Sequence, residues 1–294
     1  MMLPNFLGIG AQKAGTTWLH DNLSNHEDLW LPPIKEIHYF DYKEKDFTPT
    51  LKGYLFANNA ENRRWRRIIK NRLKTNFKKF DYRHFKWDIN YLFCRQNNDE
   101  WYSSLFEQGK GKIVGEITPA YSSLSDASVE YVHTIMPDIK IIFMMRNPIE
   151  RAWSYFFSYI TKYGKTIDSF SEAELKQHFS SDYSLRRGKY SQTIKIWQKY
   201  YSSEQFCIVF FEEIVDCPEN LLAKICSFLG THASSNYLDN INKNKVNYFG
   251  NQGNIPKRIA QYLADIYYDE IYYLNQKYNG YTNNWLDYAE KNKS

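Results

Sequence analysis

The chain has 294 residues, of which 43% are hydrophobic and 24% charged, with a formal net charge of +5. These proportions favour a folded globular protein over a disordered chain, and we predict a single domain over residues 1–294. No apolar run approaches the roughly 20 residues of a membrane span, and no basic segment precedes the apolar residues 3–9. We therefore expect a cytoplasmic protein with neither a signal peptide nor a membrane span.

The first predicted elements, over residues 5–25, are a strand, a loop and a helix. Gly10 and Gly15 have the separation of the two glycines in a nucleoside-triphosphate P-loop. Thr16 stands where that loop carries its lysine, whereas Lys13 lies between the glycines. Backbone N–H groups at the start of a helix bind anions. The segment therefore predicts a phosphate-binding loop that is unlike that of an ATPase.

A long charged and aromatic segment, residues 43–110, follows without the alternation of a strand, which predicts a helical and loop insertion contributing to the acceptor site. Within it, residues 61–80 carry nine Lys or Arg against one acid, Glu61. This basic cluster indicates either a solvated helix face or an attractive surface for an acidic substrate, a membrane or nucleic acid. We expect the aromatic residues of 80–106, together with residues 155–165, to line the acceptor cleft.

Three further strands are predicted at 112–116, 139–145 and 206–211, with a helix at 126–136. Residues 139–145 form a continuous apolar run, which is typical of a strand buried in a parallel sheet. Strands that alternate with helices predict an α/β fold, a P-loop-containing three-layer α/β/α arrangement with a central, mostly parallel sheet. Ligands of such folds bind at the carboxyl ends of the strands.

A second anion site is predicted directly after the strand at 139–145. A magnesium-dependent P-loop enzyme should end that strand with an acid, but this chain places Arg146 there. Arg146 and Ser154, eight residues later on a predicted helix, could both donate to one phosphate. Two phosphate sites without an acidic metal ligand indicate a nucleotide with separate anionic ends and no metal.

The chain has four cysteines. Because they lack CxxC spacing, we predict free thiols rather than a zinc site or disulfides.

These motifs resemble those of the sulfotransferases that use 3′-phosphoadenosine 5′-phosphosulfate (PAPS), in their bacterial and heparan-sulfate-type branch. Residues 12–18 are similar to the family's 5′-phosphosulfate loop, and residues 146–154 to its 3′-phosphate motif. Residues 187–197 and 263–285 are similar to two later segments. The resemblance runs nearly end to end, with about 43–100 unmatched.

The resemblance implies PAPS as donor and adenosine 3′,5′-bisphosphate (PAP) as product. Lys13 would stabilise charge on the leaving phosphate, and Arg146 with Ser154 would hold the 3′-phosphate. The Gly- and Asn-rich residues 248–258 would form a mobile lid over the nucleotide. Lys257 and Arg258 at its end would either reach the 3′-phosphate or lie on a helix surface. The nucleotide-binding residues implied are Lys13, Ala14, Gly15, Thr16, Thr17, Trp18, Arg146, Ser154, Tyr190, Gln252, Gly253, Lys257 and Arg258.

On the acceptor side, the segment from Lys35 to Asp41 resembles the one that supplies the catalytic base in heparan-sulfate 3-O-sulfotransferase-like enzymes. The resemblance makes Glu36 the base, although His38 is a rival and a simple Lys–Glu pair an alternative. On extended backbone Glu36 and His38 would share a face. Asp41, Thr118 and Tyr121 would contact the acceptor; Ile117 stands where those enzymes carry a functional lysine.

The acceptor is expected to be a small molecule or a saccharide, modified on a hydroxyl or an amine. Two other functions stay open at this point. One is a P-loop kinase of a small metabolite, which needs a magnesium-binding acid at a strand end. The other is a non-catalytic polyanion-binding protein that uses residues 61–80; nucleic acid is not the partner we expect. The sequence indicates no oligomeric state.

Overall fold

The computed structural model describes residues 1–47, 82–241 and 255–294, together with the single positions Phe56, Arg63 and Arg66. The described chain is built on a five-stranded sheet in which every pairing is parallel. The strand order is β2-β3-β1-β4-β5. The strands are β1 (Phe6–Gly10), β2 (Leu29–Trp30), β3 (Ile113–Ile117), β4 (Lys140–Met145) and β5 (Phe206–Phe210).

Helices flank the sheet on both faces, which gives the predicted three-layer α/β/α arrangement. They are α1 (Thr16–Leu23), α2 (Phe40–Glu44), α3 (Tyr82–Phe93), α4 (Asp99–Ser104), α5 (Asp126–Ile135), α6 (Pro148–Lys162), α7 (Glu172–Ser180), α8 (Asp182–Arg186), α9 (Tyr190–Trp197), α10 (Glu213–Asp216), α11 (Pro218–Leu229), α12 (Ser235–Asp239), α13 (Lys257–Tyr278) and α14 (Tyr281–Asn292). The long α13 packs on α14 and against α6, α7 and α9.

The central strand β1 is buried because its residues are apolar or glycine. All five residues of β1 are buried, and it lies between β3 and β4. Gly8 pairs with Ile117 and also packs against it, because a Cβ atom at position 8 would lie 2.8 Å from Ile117 Cγ1. The close approach places the ends of β1 and β3 side by side, so the segments that follow them meet at one edge of the sheet.

The described part of the 43–110 segment contains α3 and α4, and four of its large aromatic rings lie in the core rather than in a cleft. Trp87, Tyr91, Trp101 and Tyr102 are buried in the core. Their rings pack on one another, with Trp87 and Tyr91 stacked at 5.0 Å. The expectation that these four rings contact an acceptor is therefore wrong: large aromatic side chains gain more by burial than by forming a wall.

The basic cluster at 61–80 lies outside the described residues, apart from Arg63 and Arg66. Among the described helices, none combines the length and the apolar character needed to cross a bilayer. The division of residues 1–294 into a single domain stays a prediction.

Candidate active site

The loop between β1 and α1 has a backbone that only particular residues can adopt. Gly15 has φ 85°, and a Cβ atom there would lie 2.4 Å from Ile214 Cδ1. Lys13 is also left-handed, at φ 70°. The N–H of Ala11 donates to the carbonyl of Met144, at 2.6 Å, which attaches the loop to β4. The loop therefore leads into α1 so that the first residues of this helix, Thr16, Thr17 and Trp18, line a cavity.

Lys13 lies inside this loop, where its ammonium group donates to the hydroxyl of Ser158 at 2.6 Å. Its carbonyl accepts from Arg146 Nη1 at 3.2 Å, so the loop is tied to the second anion motif. Burial lowers the pKa of Lys13, and the positive charges of Arg146 and Lys35 lower it further. Sequence analysis missed Ser158, although it lies one helical turn after Ser154 and so shares its face of α6.

Arg146 and Ser154 are each only 1% exposed. The guanidinium of Arg146 lies 4.3 Å from the centre of the Phe211 ring, and its Nε donates to Glu150 at 3.2 Å. Burial raises the pKa of Glu150, and the charge of Arg146 opposes that rise. Tyr190, predicted to bind nucleotide, donates its hydroxyl to the carbonyl of Arg146 at 2.9 Å. Its ring is buried, so its direct contact with nucleotide stays a prediction.

One cavity of about 280 Å³ brings most of the predicted nucleotide-binding residues together. It lies at the carboxyl ends of β1 and β4, where a doubly wound sheet binds its ligands. Its lining residues are Gln12, Lys13, Gly15, Thr16, Thr17, Trp18, Lys35, Glu36, Pro119, Arg146, Ser154 and Phe211. The loop lysine, the arginine after β4 and the glutamate of the acceptor segment therefore share one space.

The other predicted nucleotide-binding residues that the structure describes do not line this cavity. Ala14 is buried within the loop, so only its backbone can serve. Lys257 and Arg258 are exposed at the start of α13. Gln252 and Gly253 lie outside the described residues.

The acceptor segment brings Glu36, His38 and Asp41 into a chain of contacts. His38 Nδ1 lies 2.8 Å from Asp41 Oδ2, and His38 Nε2 lies 3.5 Å from Glu36 Oε2. The ammonium of Lys35 donates to Glu36 Oε1 at 2.8 Å, so the lysine–glutamate pair considered from sequence is also present. The expected extended backbone is wrong, because Glu36 has φ 66° and His38 φ 56°. The two side chains meet through two left-handed residues, not through strand alternation.

Thr118 and Tyr121 lie below this segment and have no exposed surface, so their predicted contact with an acceptor is wrong. Both donate hydroxyl hydrogen bonds to the carboxylate of Glu116, at 2.7 and 2.9 Å. Tyr102 donates a third at 2.7 Å. Burial raises the pKa of Glu116, and the three hydroxyls oppose that rise. Burying a carboxylate without hydrogen-bond donors costs free energy, so the hydroxyls of these neighbouring residues are buried together with Glu116.

Within residues 1–47, 82–241 and 255–294, no three His, Cys, Asp or Glu side chains are grouped as a metal ion requires. The free cysteines that the structure describes are Cys94, Cys207, Cys217 and Cys226.

The model of the sulfotransferase family matches residues 4–235, which include the loop, Arg146, Ser154 and the acceptor segment. The chain belongs to the sulfotransferase family. A crystal structure of a sulfotransferase from Alicyclobacillus acidocaldarius has the same fold, with a TM-score of 0.66 at 21% identity over 97% of this chain and 99% of that one. The sulfotransferase domain of the Synechococcus PCC 7002 olefin synthase aligns over 81% of this chain and 76% of its own, with a TM-score of 0.50 at 17% identity.

Among curated proteins, this member of the sulfotransferase family is similar to carbohydrate sulfotransferase 15 of Mus musculus, at 25% identity over 77% of this chain and 44% of that protein. It is also similar to human heparan sulfate glucosamine 3-O-sulfotransferase 6, at 28% identity over 47% of this chain and 41% of that protein. The chain thus spans less than half the length of these curated relatives. Family membership supports a sulfotransferase enzyme.

Proposed function

We propose that this sulfotransferase transfers a sulfuryl group from PAPS to a hydroxyl or amine of its acceptor and releases PAP. The observation that carries the proposal is one cavity that holds Lys13 on the β1 loop and buried Arg146 after β4. These cations suit the two anionic ends of such a donor. In a magnesium-dependent kinase the position after β4 calls for an acid, so Arg146 disfavours ATP as the substrate.

The donor end of the site would work by placing positive charge where negative charge develops. The α1 N–H groups would hold the 5′-phosphate, and the ammonium of Lys13 would stabilise the oxygen that bonds sulfur in PAPS and leaves with the phosphate. Arg146 and Ser154 would bind the 3′-phosphate through charge-assisted hydrogen bonds. Lys13 would first leave Ser158, which it contacts at 2.6 Å, to reach the donor. PAPS supplies the activated sulfuryl group.

The acceptor end would supply a base. As the bond between the acceptor oxygen or nitrogen and sulfur forms, the bond from sulfur to the leaving phosphate breaks, and the acceptor proton passes to Glu36. His38, held by Asp41 at 2.8 Å, would orient Glu36 or take the proton itself. Lys35 donates to Glu36 at 2.8 Å and would help to orient its carboxylate.

The acceptor proposed is a saccharide, because two curated relatives carry carbohydrate and heparan sulfate in their names. A small molecule is the second acceptor class. The segment 61–80, with its nine basic residues, would attract an acidic acceptor if it lies near the cleft.

The test incubates the full chain with ³⁵S-labelled PAPS and a panel of saccharide and phenolic acceptors, with and without EDTA. We expect labelled product that is heavier by one SO3 group, and no phosphorylated product from ATP and magnesium. Phosphoryl transfer from ATP without sulfuryl transfer would make the chain a kinase. Salt-sensitive binding of polyanions without nucleotide affinity would make it a non-catalytic binder.

Two variants then separate the candidate bases. Glu36→Gln keeps the shape of the side chain, so it should leave PAP binding unchanged and lower turnover by about 10²–10⁴-fold if Glu36 is the base. His38→Asn, measured in parallel, should have the smaller effect. A normal rate for Glu36→Gln with a strong loss for His38→Asn would assign the proton transfer to His38.

A further inference from the structure

We propose that Arg95, in the link between α3 and α4, is a positioning residue that holds Glu36 and His38 in the conformation that serves the acceptor. The inference rests on the proposed function, and it names a residue through which the 43–110 segment, predicted to contribute to the acceptor site, would act. Arg95 does not line the donor cavity. It contacts the backbone of the acceptor segment instead.

The contacts of Arg95 are with two consecutive carbonyls. Its Nη2 donates to the carbonyl of His38 at 2.8 Å, and its Nη1 donates to that of Ile37 at 3.3 Å. A planar guanidinium can satisfy two neighbouring acceptors at once, whereas a lysine ammonium is a point charge without that fork. The pair of bonds therefore fixes the direction of the peptide groups on both sides of residue 38.

This backbone needs fixing, because Glu36 and His38 are left-handed at φ 66° and 56°. Strained backbone of this kind persists only where its surroundings enforce it. Here the N–H of Glu36 donates to Ile117, at 3.2 Å, and the N–H of Tyr39 donates to the hydroxyl of Tyr121, at 3.0 Å. With the two carbonyls held by Arg95, one backbone group of each residue from 36 to 39 is hydrogen-bonded.

Arg95 is itself held firmly enough to act as a fixed point. It is 9% exposed, and its guanidinium lies 4.6 Å from the ring centre of Trp101 and 5.0 Å from that of Tyr42. Burial lowers the pKa of Arg95, and its aromatic neighbours oppose that shift. Trp101 belongs to α4, whose first turn is capped by the side chain of Asn98 at 2.9 Å. The insertion therefore supplies a rigid support for the acceptor segment.

The test is a double-mutant cycle with release of PAP from PAPS as the readout, with water as acceptor so that no acceptor need be known. Arg95→Met is made in the natural chain and in a Glu36→Gln/His38→Asn background. In the natural chain we expect kcat to fall about 10²-fold, because a misplacement of about 1 Å costs that much. The Kd of PAP should change less than about twofold, because Arg95 does not touch the cavity. In the double background Arg95→Met should change kcat less than about twofold.

An equal loss of kcat in both backgrounds would overturn the proposal, because Arg95 would then act independently of the acceptor pair. An unchanged kcat for folded Arg95→Met would overturn it as well. If the natural chain fails to bind PAP, the proposed function fails, and that result is distinct from a failure of the cycle.

Lys140→Met is the matched control for a lost cation that donates to a carbonyl. Lys140 contacts the carbonyl of Phe228 at 2.6 Å, at the opposite edge of the sheet, so kcat should stay unchanged even if the melting temperature falls. If Arg95→Met does not fold, Arg95→Lys takes its place in the same cycle. It keeps the charge but loses the fork, and it should lower kcat with the same dependence on the background.

Discussion

Replacing Arg146 by Met tests the 3′-phosphate site, because Met keeps the apolar length of the side chain and removes its donors. Arg146 is 1% exposed, so its charge acts where water screens little. Removing one partner of a buried, hydrogen-bonded charge pair costs about 3–5 kcal/mol. At about 1.4 kcal/mol per tenfold change in Kd, PAP should bind about 10²–10³-fold or more weakly.

Isothermal titration calorimetry with PAP and with adenosine 5′-monophosphate measures whether the loss of affinity is confined to the 3′-phosphate. The monophosphate lacks the 3′-phosphate, so its Kd should change less than about threefold in Arg146→Met. Arg186→Met is the control, because Arg186 is an exposed cation paired with Asp182 at 3.2 Å and lies on α8. An equal loss of affinity for the two nucleotides, or no loss for either, would refute the reasoning.

Three further predictions concern the loop and the sheet edge. Lys13→Met should lower the rate of sulfuryl transfer about 10²–10³-fold, measured as turnover, and should lower the affinity for PAP, measured by titration, far less. Equal losses of rate and affinity would contradict the role of Lys13 in stabilising the leaving phosphate. Gly15→Ala should abolish PAP binding in titration, because the new Cβ atom would collide with Ile214. The control Gly111→Ala should keep PAP binding, because position 111 also has a positive φ, of 90°, but has open space around it. Equal affinities of the two variants for PAP would contradict the loop geometry. Burial raises the pKa of Glu212 from 4.5 to about 7. Between these two pH values the folded state therefore binds a proton that the unfolded state has lost. The free energy of unfolding should fall as pH rises through this window, by about 3 kcal/mol in all. Glu212→Gln should flatten this fall in urea unfolding from pH 4.5 to 7.5, and an unchanged slope would contradict it.

The sheet and the donor side of the site could be predicted from sequence because their signals are local. The apolar run of β4 is buried in the sheet, and the spacing of the next motif places Arg146 just before α6 and Ser154 in the second turn of that helix. The loop at Gly15 is equally local, since its left-handed φ of 85° favours glycine. These elements need no knowledge of distant residues.

The acceptor side could not be predicted as well, because distant contacts determine it. The left-handed backbone of Glu36 and His38 is held by Arg95, 57 and 58 residues away from its two acceptors. Thr118 and Tyr121 are polar and look suited to a cleft, yet the buried carboxylate of Glu116 takes their hydroxyls. Neither effect has a signal in the local sequence.

The most direct measurement is a titration of the natural chain with PAP and with ADP, each in EDTA and in magnesium. With Lys13 and Arg146 on one cavity, PAP should bind at least about 100-fold more tightly than ADP, with no effect of magnesium. Equal Kd values, or an affinity for ADP that appears only with magnesium, would contradict a site built for a nucleotide with two separate anionic ends.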